Sequence, residues 1–170
     1  MKKSILVLFS FSTLVVFTSC GSDDPSAPTS ELIVGNDGKA ITTAEAGIRD
    51  YVLSKDYKQW YAEPEVRSAR GTSPHGNARV YFNAIAKDAL TVQTIPMPRG
   101  AMLVKEVYGT STTALSLYAV MVKSDVSDWT WWEASASNPG KSLAYGINIG
   151  GCKNCHTGSG NSDQVLTPLP

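Results

Sequence analysis

The chain has 170 residues, with 15 basic and 15 acidic side chains, three cysteines and 42% hydrophobic residues. A formal charge of zero leaves no basic footprint for nucleic acid, so that class of partner is excluded from the expectations. The length suits one compact domain, and no internal repeat divides the chain.

Met1-Lys2-Lys3, the apolar run Ile5 to Phe17 and then Thr18-Ser19-Cys20 have the charged, apolar and small-residue order of a secretory signal, too short to span a bilayer as a stable helix. Phe17-Thr18-Ser19-Cys20 also resembles the lipobox of bacterial lipoproteins, in which the cysteine is lipidated and becomes the first mature residue. Residues 1–19 are therefore expected to be a lipoprotein signal peptide, and residues 20–40 a lipidated Cys20 with a flexible tether, since Gly21 to Ser30 is too polar to bury a core. Loss of the leader leaves 13 basic against 15 acidic residues, a net charge of −2. The expected location is outside the cytoplasm, lipid-anchored to a bacterial membrane and facing the periplasm or cell surface.

The folded domain is expected over 41–170. Thr42-Thr43-Ala44-Glu45 has the pattern of a capping box and leads into Ile48, Tyr51 and Val52 at helical spacing, which predicts a helix over 43–54. Tyr57-Lys58-Gln59-Trp60-Tyr61 places aromatics among polar residues, and Arg67 to Asn77 is a loop around His75. Strands are predicted at 78–82, 102–108, within 115–122 and at 129–133, with a short helix over 84–89 and a turn at Pro96, Pro98 and Gly100. Closely spaced strands without long helices between them predict an α+β fold, mainly an antiparallel β-sheet with short helices.

The last feature in chain order is Cys152-Lys153-Asn154-Cys155-His156. Two thiols on one helical turn can reach the two vinyl groups of a haem while the adjacent imidazole lies under the iron, so this run predicts one covalent haem c with His156 as axial ligand. A redox dithiol would want a thioredoxin-like setting, and a zinc site two more close ligands. With Cys20 assigned to lipid, no pair is left for a disulfide. Thr157 to Pro170 contain no Met, His, Lys or Cys, so any distal ligand must come from upstream: His75, Met97, Met102, Met121 or a lysine. The alternative is a five-coordinate iron with an open face. Trp129, Trp131 and Trp132 are either core aromatics or line a haem face, Arg79 is either a propionate partner or a surface arginine, and His75 is either a loop hydrogen-bonder or a site residue.

Together, His75-Gly76, Arg79-Val80-Tyr81-Phe82-Asn83, Pro98 to Glu106, Met121-Val122-Lys123, Trp129-Thr130-Trp131, Cys152 to His156 and Asp163-Gln164-Val165 resemble the cytochrome P-460 family over roughly residues 55–170, in order and spacing. The resemblance implies the antiparallel-sheet fold shared with beta-type cytochromes c-prime, a C-terminal haem attachment and an open distal side. It implies action on small nitrogen compounds such as hydroxylamine, or binding of diatomic gases such as NO, with a redox partner protein, and it is compatible with a homodimer. It also implies that Lys105, in the Val-Lys-Glu segment, is the lysine cross-linked to the haem ring in P-460 enzymes. Alternation places Lys105 with Leu103 and Val107 and turns Glu106 to the other face. The distal carboxylate of hydroxylamine-oxidising members has no counterpart in Leu117-Tyr118-Ala119-Val120, where Ala119 falls nearest its position. That departure favours NO binding unless another group supplies the base. A tethered electron-transfer cytochrome is a third reading.

Overall fold

The computed structural model describes residues 32–34, 39–69, 73–157 and 163–169. The leader, Cys20 and the Gly21 to Ser30 stretch lie outside the described residues. Leu32–Val34 (β1), inside the segment assigned to the tether, pairs antiparallel with Ala40–Thr42 (β2), so regular structure begins ahead of the expected boundary at residue 41.

The rest is α+β, as expected. One antiparallel sheet runs in chain order through Tyr61–Ala62 (β3), Asn77–Phe82 (β4), Met102–Gly109 (β5), Leu117–Lys123 (β6), Trp129–Ser135 (β7) and Ser142–Ile147 (β8). Each strand pairs with the one before it in the chain, the order of a meander, with a short helix carried on the connection between β4 and β5. The strand β8 goes beyond the sequence expectation: Ser-Leu-Ala-Tyr-Gly-Ile is weak in β-formers, and pairing with β7 makes it an edge strand.

Among the described residues, three short α-helices complete the fold. Glu45–Ser54 (α1) starts later than predicted, and the capping box does not form: Ala44 occupies the cap position without a side-chain hydrogen bond. Thr43 is buried against the core and its carbonyl accepts from Tyr145 Oη at 3.1 Å, which leaves Glu45 as the first helical residue rather than the third. Ala84–Thr91 (α2) is capped by Asn83, whose Oδ1 accepts from Ala86 N at 2.9 Å and Met102 N at 3.0 Å while its Nδ2 donates to Gly100 O at 2.7 Å. One buried amide thus joins the start of α2 to the start of β5. Gly150–His156 (α3) carries the Cys-x-x-Cys-His run.

Both faces of the sheet are covered, which is why β5 reads as a nearly continuous apolar run. One core packs Tyr81, Val104, Tyr118, Val120 and Trp132 against α1 residues Ile48 and Val52. The other packs Val80, Phe82, Leu103, Met121 and Trp131 against α2 and Val165. The first face also buries Glu106, whose carboxylate accepts from Tyr57 Oη at 2.5 Å, Tyr108 Oη at 3.0 Å and Tyr81 Oη at 3.1 Å and pairs with Lys58 Nζ at 2.9 Å. Burial works to raise the Glu106 pKa, but the bonds from Tyr57, Lys58 and Tyr108 outweigh it and hold the carboxyl below its ordinary value.

Candidate functional site

Directly opposed residues of an antiparallel sheet share a face. The register sets Val80, Lys105, Ala119 and Glu133 in one row across β4, β5, β6 and β7, and Phe82, Leu103, Met121 and Trp131 in the next. Parity therefore puts Lys105 among apolar neighbours on the second core's face, as the sequence predicts, and Glu106 on the other.

Lys105 and Glu133 stand two strand spacings apart, roughly 10 Å, too far for direct contact between short groups. His75 spans the gap. Its Nδ1 lies 3.2 Å from Lys105 Nζ and its Nε2 lies 3.0 Å from Glu133 Oε1. A carboxylate accepts and an ammonium donates, which gives the chain Lys105 N–H to His75 Nδ1 and His75 Nε2–H to Glu133. The turn before β4 places the ring: Gly76 has φ +68°, and a Cβ there would meet Gly109 O at 2.4 Å. Only glycine lets the backbone pass this close and carry His75 over the sheet.

The helix α3 faces this group. Cys152, Cys155 and His156 form one wall of a cleft of about 480 Å³, and His75, Lys105, Trp131 and Glu133 line it as well. His156, Lys105, Glu133, Met121 and Ala119 also border a smaller, mainly apolar hollow of about 50 Å³ beside it. Trp131 meets the His156 ring edge-on, with centroids 4.8 Å apart. His156 Nδ1 lies 2.8 Å from Gln164 O. A carbonyl only accepts, so Nδ1 carries the proton and the lone pair is on Nε2, the tautomer of a metal-ligating imidazole. Burial lowers the His156 pKa, the Gln164 carbonyl opposing and Lys105 adding, which keeps the ring neutral. Burial, with the Glu133 carboxylate adding, pushes the Cys152 thiol up.

These residues fit a covalent haem. Both cysteines are free thiols, three apart on one turn, on the wall of a cleft in the size range of ligand pockets, next to an imidazole in the ligating tautomer. Among the described residues no group of three or more His, Cys, Asp or Glu is arranged to hold a metal ion, so the two thiols and the imidazole do not converge on one point.

Several sequence expectations change. Arg79 is not in the site: it lies opposite Glu106 in the register, hence on the other face, where its Nε donates to Glu63 O at 2.7 Å and its guanidinium sits over the Tyr81 ring. The guanidinium on the site's side is Arg67, which borders an adjoining hollow of about 200 Å³ with Glu63, Ser73 and Lys105. Of the three tryptophans only Trp131 lines the cleft. Trp132 belongs to the opposite core and Trp129 packs deep in the second. Among the upstream ligand candidates, Met102 lies in the opposite core and Met97 in the second core, while His75, Lys105 and Met121 border the site. Sequence reasoning missed Glu133 altogether, although it stands two residues beyond Trp131 on the same strand and must share its face.

No protein-family model matches the chain, and no curated protein matches it.

Proposed function

We propose that this chain is a mono-haem c-type cytochrome of the P-460 kind, holding its haem through Cys152, Cys155 and His156 and oxidising hydroxylamine or a related small nitrogen compound at an open distal site. The observation that carries the reading is the cleft itself: the Cys-x-x-Cys-His helix faces Lys105, His75 and Glu133 across it. Bound haem would supply the redox centre, passing substrate electrons on to a redox partner protein. The chain's own residues supply the rest. Oxidation of hydroxylamine releases protons along with electrons, and a base must lie within hydrogen-bond reach of the proton it takes. Glu133 fills the role that Ala119 leaves vacant, from the position directly opposite on the neighbouring strand. His75 fixes its orientation, and Lys105 balances its charge or bonds to the haem ring. Export and a lipid anchor on Cys20 belong to the same proposal, and no described helix is long and apolar enough to cross a membrane.

The test is intact mass and electronic spectra, ferric and ferrous, of the full chain after haem maturation. One added haem and a broad, red-shifted ferrous Soret band that disappears in Lys105→Ala would support the cross-linked chromophore and nitrogen oxidation. A chain that acquires no haem refutes the reading.

The small hollow favours a second reading, capture of NO without turnover. Val80, Leu103, Ala119, Met121 and Val165 give it an apolar lining suited to a neutral diatomic. An ordinary high-spin c-type spectrum with tight NO binding and no hydroxylamine turnover would select it.

A further inference from the structure

Lys123 is completely buried at the end of β6, and its Nζ pairs with Asp163 Oδ2 at 2.6 Å. The same Asp163 oxygen accepts from Met97 N at 2.9 Å. An ion pair with one partner fully buried and the other, Asp163, 14% exposed is a poor device for stability alone, because well-packed apolar residues in place of a buried pair are often as stable or more so. The backbone beside it is also costly: Asp163 and Gln164 have φ +50° and +70°, two successive left-handed residues that are not glycine. What this turn delivers is the Gln164 carbonyl, 2.8 Å from His156 Nδ1. The buried side-chain Oε1 of Gln164 has no hydrogen-bond partner among the described residues, so that oxygen does not anchor the residue. It is held from both sides, by the Asp163 clamp before it and by Val165, buried in the second core, after it.

We propose that the Lys123–Asp163 pair is a positioning device for the proximal imidazole, fixing the Gln164 carbonyl on His156 Nδ1 and thereby setting how strongly Nε2 donates to iron. This rests on the haem reading of the Cys-x-x-Cys-His run. A partner on the far ring nitrogen fixes the tautomer and raises ligand basicity. A more basic imidazole favours ferric over ferrous iron, so the pair holds the reduction potential down.

The experiment uses the haem-loaded full chain, wild type, Asp163→Asn and the double variant Lys123→Met/Asp163→Leu, which replaces the pair with apolar groups if the single variant does not fold. The readouts are the iron–histidine stretching band of the ferrous form by resonance Raman spectroscopy and the midpoint potential. Both variants are expected to lower the stretching frequency and to weaken the ferric preference about tenfold, the lower end for such a partner, which is about 59 mV upward for a one-electron couple. Asp163→Glu, which keeps the charge, should recover part of both shifts. A folded variant with the wild-type band and potential overturns the proposal. If the wild type acquires no haem, the haem reading fails. The ring nitrogen shifts of His156 in the haem-free chain then test the positioning separately. Wild type should carry the proton on Nδ1 and Asp163→Asn should mix the tautomers, whereas identical shifts would overturn it.

Discussion

Glu133→Gln separates acid–base chemistry from architecture. The Glu133 carboxylate accepts from His75 Nε2 at 3.0 Å, and a glutamine amide oxygen at the same place can accept the same bond. The imidazole therefore keeps its tautomer and its bridge to Lys105, and only the basic group is lost. A positioned general base contributes about 10²- to 10⁴-fold, which is about 3–5 kcal/mol of barrier at 1.36 kcal/mol per decade. The side chain is 21% exposed, so water can replace part of the lost proton acceptor, and the lower end of that range is the better expectation, a fall of about a hundredfold in kcat. The assay is steady-state hydroxylamine oxidation with a dye acceptor, with NO affinity of the ferrous protein measured on the same sample. Turnover should fall while NO affinity stays within about twofold, since a neutral diatomic needs no proton acceptor. Turnover within threefold of wild type would refute Glu133 as the base. An equal loss of NO binding would show that the substitution had damaged the site instead.

Three further outcomes follow from other parts of the molecule. Glu106→Gln should cost about 3 kcal/mol in urea unfolding, because charge-assisted bonds from buried tyrosines are lost, with the Lys58 share discounted for that residue's exposure. Since the folded pKa of Glu106 lies below its ordinary value of 4.5, its contribution is complete above 4.5 and lost as pH falls through the folded value, so the variant should flatten the acid limb of the stability curve. Gly76→Ala puts a side chain on a left-handed residue against Gly109 O. It should cost about 1–3 kcal/mol and, by displacing His75, lower hydroxylamine turnover along with stability; a variant as stable as wild type would refute the close approach. Met121→Leu should leave a high-spin ferric spectrum unchanged, whereas loss of a low-spin band would identify Met121 as the distal ligand and select the electron-carrier reading.

The parts of the site that could be read in the sequence are those fixed by local geometry. Cys152, Cys155 and His156 share one helical turn because their spacing requires it, and Lys105 shares a face with Leu103 because strands alternate. Glu133 was hidden because its relation to Lys105 runs through two strand pairings, and register is set by packing across the sheet rather than by the segment itself. Arg79 is left between two readings for the converse reason. Its neighbour Val80 faces the site, so parity sends Arg79 away, but no local pattern says which face of β4 the site occupies. The capping box at Thr42 to Glu45 failed because burial of Thr43 overrode a local hydrogen-bond preference.

Lys105 and Glu106 show how one strand serves two purposes. They are adjacent in the chain and face opposite ways, so two charged residues in an apolar strand reach two different environments. Glu106 is 1% exposed, and its hydroxyl and ammonium partners leave its oxygens no capacity for a ligand. Lys105 instead borders the cleft and meets an imidazole whose other nitrogen is committed to a carboxylate. A fully satisfied buried network rigidifies its face, while groups linked in a row beside an open volume can pass a proton along it. Charge lost at Glu106 should therefore loosen the fold, and charge lost at Glu133 should change the chemistry.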